Sequence, residues 1–206
     1  MQWYRSAFSK LLNKEADIDS DSLKATLHTS SYTPDRGAHA YVSDLSAELA
    51  ASGGYSTGGV TVSGVSVTKT EANSWGTSRA NSTAYVVDQV VRPATGNGFL
   101  YRCAVAGTSG GSVPTYPTVI GTTVADGTVT WECVGLSITV IDFTDPSWAT
   151  ATFTGARYLV LSDRTPGTAA TQPLIGIIDF GSDKAGGGGT FTVVGDAQGF
   201  LHHFGS

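Results

Sequence analysis

Four histidines, two cysteines and a scatter of carboxylates are the side chains from which this sequence could build chemistry. His202 and His203 are adjacent, so a strand sends them to opposite faces. With His28 and His39 they give no histidine or cysteine set at zinc-site spacing. Neither a metal nor any other cofactor is expected. Asp17, Asp19 and Asp21 alternate as at the start of a calcium loop, but the glycine and distal glutamate of such a loop do not follow at the required offsets. A helix-to-strand turn accounts for them more simply. A cysteine beside a histidine-bearing motif and Gly-x-Gly-x-x-Gly do not occur, and Gly107-Thr108-Ser109-Gly110-Gly111, although it spells Gly-x-Ser-x-Gly, lacks a phosphate-reaching lysine and reads as a loop. No catalytic residues are assigned, and the expectation is a protein that is not an enzyme.

The aromatic residues allow two readings. Tyr85, Tyr101, Tyr116 and Trp131, with Trp75 at their entry, lie in one 60-residue stretch. Flat rings on a β-surface stack sugars, which makes these five a candidate glycan-binding surface; alternatively, most of them form the core of a small module short of other large residues. Cys103 and Cys133 follow the corresponding stretches Tyr101-Arg102 and Trp131-Glu132. A bridge between them would close a loop of about 30 residues, worth roughly 3 to 4 kcal/mol. Two reduced thiols in an apolar core fit a reducing compartment equally well. Asn81-Ser82-Thr83 matches a glycosylation acceptor, which without a secretion signal is a chance match.

The elements that would carry these side chains are mainly strands. Tyr4, Phe8, Leu11 and Leu12 fall on one stripe of a short N-terminal helix that either packs on a sheet or docks on a partner chain. Leu23, Ala25 and Leu27 alternate with Lys24, Thr26 and His28, the period of a half-buried strand. Pro34-Asp35-Arg36-Gly37 is a loop signal, and Ala47 to Ala51 a weak helical turn. Val60 and Val62 share one parity while Val65 and Val67 share the other, so a bulge or bend is expected at Gly64. Tyr85–Val91 and Phe99–Val105 read as a hairpin through Gly96-Asn97-Gly98, and Asp126-Gly127 turns the chain into the strand at 128–134. Strands follow around Leu136–Val140, Ala156–Leu161 and Leu174–Phe180. A last hairpin joins 175–180 to 190–194 through Gly186-Gly187-Gly188-Gly189.

The whole is expected to be all-β: a β-sandwich-like base domain with a short N-terminal helix and an inserted small β-module. The base comprises residues 1–74 and 136–206, and the insert 75–135. Composition agrees. Of 206 residues 26 are glycine, and charged residues make up only 14% against a typical ~25%. A formal net charge of −5 without a Lys/Arg stripe argues against a nucleic-acid partner. No run approaches 18 apolar residues, and 1–12 lacks the pattern of a signal peptide, so neither a membrane nor general secretion is expected.

Particular segments go further. Leu11-Leu12-Asn13-Lys14-Glu15-Ala16-Asp17-Ile18-Asp19, the run from Leu23 to Asp35, and Tyr55-Ser56-Thr57-Gly58-Gly59-Val60 resemble a family of small tailed-bacteriophage virion proteins. Gly155-Ala156-Arg157-Tyr158, Pro173-Leu174-Ile175-Gly176 and Ile178-Asp179-Phe180-Gly181 share that resemblance, which spans the base domain. The insert, through Ala84-Tyr85, Gln89-Val90-Val91-Arg92-Pro93, Ala106 to Gly110 and Asp126 to Trp131, resembles a β-module of phage head and tail fibres, some of which are similar to carbohydrate-binding domains. Val113-Pro114-Thr115-Tyr116-Pro117 departs from that module's usual acidic-proline pair.

The resemblance implies a structural virion protein, assembled in the host cytoplasm and located on the capsid surface. It would act as a capsid decoration, or cement, protein bound to the major capsid protein or other virion subunits, and as a homo-oligomer such as a trimer. The alternative it implies is a tail or head-fibre component adhering to host-surface glycan through the insert; a glycan-cleaving enzyme is a third and weaker reading. Trp3, Tyr4, Phe8, Phe200 and Phe204, in the terminal segments, are the candidate capsid or subunit contacts.

Overall fold

A computed structural model describes residues 1–205. In chain order the first elements are β1 (Gln2–Trp3), α1 (Ala7–Leu12), β2 (Leu23–His28), β3 (Val60–Thr61) and β4 (Ser66–Glu71). Next come β5 (Ala84–Tyr85), β6 (Val90–Val91), β7 (Leu100–Val105), β8 (Gly107–Thr108), β9 (Thr123–Asp126) and β10 (Val129–Gly135). The last are β11 (Ser137–Asp142), β12 (Ser147–Trp148), β13 (Ala156–Asp163), β14 (Leu174–Lys184), β15 (Phe191–Thr192) and β16 (Leu201–Gly205). The fold is all-β, as expected.

The chain divides into two compact units, 1–66 with 142–196 and 67–141 with 197–206. The expected insert of 75–135 is therefore wider at both ends, and the C-terminal residues belong with it rather than with the base. β16 pairs along β11, from Ser137↔Gly205 to Ile141↔Leu201, and this register holds the terminus in the second unit.

In the first unit, sheet order is β1-β14-β13-β2-β3. Its centre is apolar on both faces: Leu159, Val160 and Leu161 of β13, Ala25 and Leu27 of β2, and Leu174 and Ile175 of β14 are fully buried. Burying each large aliphatic side chain contributes about 1.5–3 kcal/mol. Tyr4, Ala7, Tyr32, Val160, Leu174 and Ile177 form one cluster on this sheet. The expected bend is present between β3 and β4, although Val67 is 50% exposed and β4 buries no second valine set. Gly64 adopts φ +64°, and a Cβ there would lie 2.7 Å from Thr144 Oγ1.

Three local expectations for this unit change. Leu49 N–H donates to the Leu27 carbonyl at 2.8 Å and Glu48 pairs with His28 in a single antiparallel bridge, so 47–51 lies beside the end of β2 rather than forming a helical turn; the short helical turn lies at Val42–Asp44. β15 pairs with β12, through Trp148↔Phe191, and not with β14. Phe191 lies 5.2 Å from Phe153, 6.1 Å from Trp148 and 6.4 Å from Phe180 of β14, so ring contact with β14 is kept without strand pairing. Helix α1 does not bury the expected stripe. Its buried residue is Ala7, while Phe8 and Leu12 are 44% and 69% exposed.

In the second unit the main sheet has the order β6-β7-β10-β9, a second sheet the order β16-β11-β4, and β5 pairs with β8. The expected Tyr85–Val91 strand is broken at Asp88, whose φ is +71°. Both predicted turns are present: β6 and β7 pair antiparallel, and β9 and β10 form a hairpin through Gly127 at φ +66°.

Candidate functional site

The aromatic residues of the second unit are mostly core. Along β10, Val129, Trp131 and Cys133 point to one face, and together with Tyr101 and Cys103 of β7 and with Tyr85 they form a closed cluster. Tyr85 packs edge-on against Trp131 at 4.8 Å. Trp131 and Tyr101 are fully buried and Tyr85 is nearly so, which removes three of the five rings proposed for a glycan surface. The physical cause is that alternation on β7 and β10 turns these rings toward each other, and the unit has few other large residues with which to exclude water. Trp75 and Tyr116 remain half-buried. Trp75 Nε1 donates to the Val90 carbonyl at 3.0 Å, and Tyr116 leans on Tyr101 with 4.3 Å between ring centres. Burial pushes the Tyr116 phenol well above its ordinary range.

The two cysteines are free thiols. Strand register opposes Trp131 to Cys103 and Cys133 to Tyr101, and of the two readings left open, a bridge or two reduced thiols in an apolar core, the structure has the reduced thiols. Desolvation raises both thiol pKa values, which makes them poor nucleophiles.

What holds this module is a buried ion pair that the sequence reading did not single out. Arg79 Nε and Nη2 donate to Asp126 Oδ2 and Oδ1 at 2.9 and 2.8 Å, with both side chains 1% exposed. Arg79 Nη2 also donates to the carbonyls of Gly110 and Ser112 at 2.6 and 2.9 Å, and Nη1 donates to Asn81 Oδ1. Trp131 Nε1 and the Gly110 N–H each donate to Asp126 at 2.9 Å. Burial opposes the Asp126 charge, but the hydrogen bonds from Arg79, Trp131 and Gly110 outweigh it and hold the carboxyl below its ordinary range. Arg79, Asp126 and the Trp131 indole are spent on joining 79–83, 107–112 and the β9–β10 turn, while the buried Tyr116 hydroxyl beside them has no hydrogen-bond partner.

The five terminal contact candidates also separate. Tyr4 and Phe200 are 1% and 4% exposed, so both belong to the chain's own core and are removed from the contact set. Tyr4 shares a 3.0 Å hydroxyl–hydroxyl hydrogen bond with Tyr32, and Tyr32 bonds His39 Nδ1 at 2.9 Å. Trp3 and Phe204 are half-buried, and Phe8 is exposed. Of the histidines, His28 is buried between Thr26 Oγ1 and the Ser46 carbonyl, and desolvation holds its pKa below the ordinary value. Among the described residues no group of three or more His, Cys, Asp or Glu is placed to hold a metal ion, and no helix is long and apolar enough to cross a membrane.

The clearest concave surface lies in the first unit, a groove of about 560 Å³ whose lining includes Gln2, Arg5, Asp35, Arg36, Tyr158 and Asp179. The Pro34-Asp35-Arg36-Gly37 loop forms one wall. Asp35 Oδ1 accepts the N–H groups of Gly37 and Ala38 at 2.8 and 3.0 Å, which fixes the loop and lowers the carboxyl's pKa. Asp179 is neutralised by Arg157, which reaches both its oxygens at 2.6 and 3.1 Å. The groove thus presents two arginines and two aspartates beside a tyrosine ring.

Comparison of the chain with protein-family models, with curated proteins and with solved structures gives no match.

Proposed function

We propose that this chain is a non-enzymatic structural protein of a tailed-bacteriophage virion, a capsid decoration protein that attaches to the outer shell through its first unit and carries the second as an appended module. One observation carries most weight: the buried polar chemistry of the second unit, Arg79, Asp126 and the Trp131 indole, is committed to intramolecular hydrogen bonds that build a scaffold. The likeness of 11–35, 55–60, 155–158 and 173–181 to small virion proteins supplies the setting.

The surface chemistry is consistent with assembly onto neighbours. Phe8 and Leu12 stand exposed on α1, beside a first unit whose groove offers arginines. A stable interface needs about 800 Å² per partner, which a shell multiplies by symmetry. With three of its five rings in the core, the second unit offers Trp75 and Tyr116 alone for sugar stacking, and adhesion to host glycan ranks second.

Labelling purified particles with an antibody against the chain tests the proposal. Signal over the head is the expected result. Signal confined to the tail tip would favour the adhesin reading, and particles without the chain would end both.

A further inference from the structure

We propose that β4 pairs antiparallel with β4 of a second copy of this chain, about a two-fold axis through Thr70. β4 is the last strand of the β16-β11-β4 sheet, so one of its edges carries no neighbouring strand, and five of its six residues are exposed. One hydrogen bond shows which residues face that edge. The Ala72 N–H donates to the Leu136 carbonyl at 2.8 Å, on the β11 side. Alternation along the strand then turns the N–H and C=O groups of Val67, Lys69 and Glu71 away from β11, to the open edge, where they form a template for another strand.

Charge selects which strand and in which register. Lys69 and Glu71 lie on one face of β4, joined by a 2.7 Å ion pair whose side chains are 62% and 65% exposed. An antiparallel partner forms hydrogen bonds only in registers that set outward-facing residues opposite one another. A two-fold axis through Lys69 sets ammonium against ammonium, and one through Glu71 sets carboxylate against carboxylate. A register that opposes Lys69 to Val67 leaves both charges without a cross-strand partner. With the axis through Thr70, Lys69 of each copy lies opposite Glu71 of the other, and each of these two pairs exchanges both backbone hydrogen bonds. The four charges then alternate in sign, so every ammonium that already has a carboxylate beside it on its own strand gains a second across the dyad. An edge charged only to repel addition would not match its own image in this way.

Because the same patch serves both copies, the contact is isologous and closes at a dimer, which carries one continuous sheet of the order β16-β11-β4-β4-β11-β16. Two short edges bury less than a standard interface, so the dimer is a weak one. It follows from strand geometry and charge in the second unit alone and does not depend on the virion reading.

Sedimentation velocity on the full-length chain tests it. The wild type should dimerise as its concentration rises toward about 1 mM, and less so as salt rises from about 50 to 500 mM. K69E and E71K should each weaken association at least about tenfold, because like charges then meet across the dyad. An equimolar mixture of the two restores opposite charges at both positions and should associate to within about threefold of the wild type, a result that misfolding cannot give. Register is read by cysteine cross-linking. Thr70 and its symmetry mate form a non-hydrogen-bonded pair with Cα atoms about 4.5 Å apart, within disulfide reach, whereas two copies of Thr68 lie about 13 Å apart. Oxidised T70C should therefore run as a covalent dimer on a non-reducing gel and T68C as a monomer; Cys103 and Cys133 are buried and add no background. A wild type that stays monomeric at about 1 mM, a mixture no more associated than its components, or cross-linking through T68C in preference to T70C would each overturn the proposal.

Discussion

Asp163 is the sharpest point at which this structure can be tested by stability. It lies at the end of β13 with its side chain fully buried; Oδ1 accepts the Thr165 N–H at 2.8 Å, and Oδ2 has no hydrogen-bond partner. Its surroundings push its pKa up to about 6, first through desolvation and then through the neighbouring Asp21 carboxyl, against the Thr165 hydrogen bond that lowers it. The protonated form removes the charge that burial opposes. An ordinary aspartate titrates near 3.9, so the native state binds this proton more tightly than the unfolded chain does. The associated stability is therefore fully present below about pH 4 and is lost as pH rises through about 6. Two pKa units set a ceiling of about 3 kcal/mol, which relaxation of the exposed Asp17–Asp21 turn reduces. Asp163→Asn keeps an acceptor for Thr165 and is uncharged at every pH. Relative to wild type, the variant should gain about 1–3 kcal/mol between about pH 4 and pH 8, or roughly 2–8 °C in melting temperature. Taking the difference between the two proteins cancels groups that titrate in the opposite sense. Asp35, Asp44 and Asp179 are such groups, since their lowered pKa values contribute stability that is lost toward acid pH. Calorimetric melts across this range decide the matter: a flat difference, or an Asn variant that falls behind as pH rises, refutes the buried carboxyl pair.

Two further outcomes follow from the second unit. Asp126→Ala leaves Arg79 buried without its counter-charge and should cost about 3–5 kcal/mol, whereas the paired change Arg79→Met with Asp126→Leu should recover more than half of that loss in denaturant melts followed by tryptophan fluorescence. An unaltered Asp126→Ala midpoint would mean that the pair is not buried. Cys103 and Cys133, shielded and with raised pKa values, should resist iodoacetamide in the native protein and take up two equivalents in denaturant. A non-reduced mass lighter by two hydrogens would instead establish a bridge.

Period-two alternation identified β2 and β11, where a slipped register would expose an entire hydrophobic set, while apolar runs between turn signals identified β7, β10 and β13. Turn chemistry was equally legible. Asp126-Gly127 and the parity switch at Gly64 both require a positive φ that the sequence announces with glycine. Failure came where partner choice is decided by side chains far apart in sequence. Four glycines after 175–180 suggested a hairpin, but the strand at Phe191 pairs with β12, and its ring lies against Trp148 and Phe153 as well as Phe180 of β14. The C-terminal strand was likewise assigned to the base, since nothing within 197–206 names β11 as its partner.

The same distance dependence explains the site. Aromatic spacing marked Trp131 and Tyr101 as important without distinguishing a stacking surface from a core. That distinction is energetic: a small unit with few large side chains buries the rings it has, because leaving them in water forfeits the area term that holds it together. Arg79 was invisible for a related reason. A lone arginine 47 residues from its aspartate carries no local pattern, yet once folded each group fixes the state of the other. The charge of Asp126 is tolerated in the core only because Arg79 and the Trp131 indole reach it, and Trp131 can be fully buried only because Asp126 accepts its N–H. Ring, carboxylate and guanidinium therefore form one unit of structure, and the tryptophan that composition offers as a ligand platform is held inside by the residue that opens the neighbouring turn.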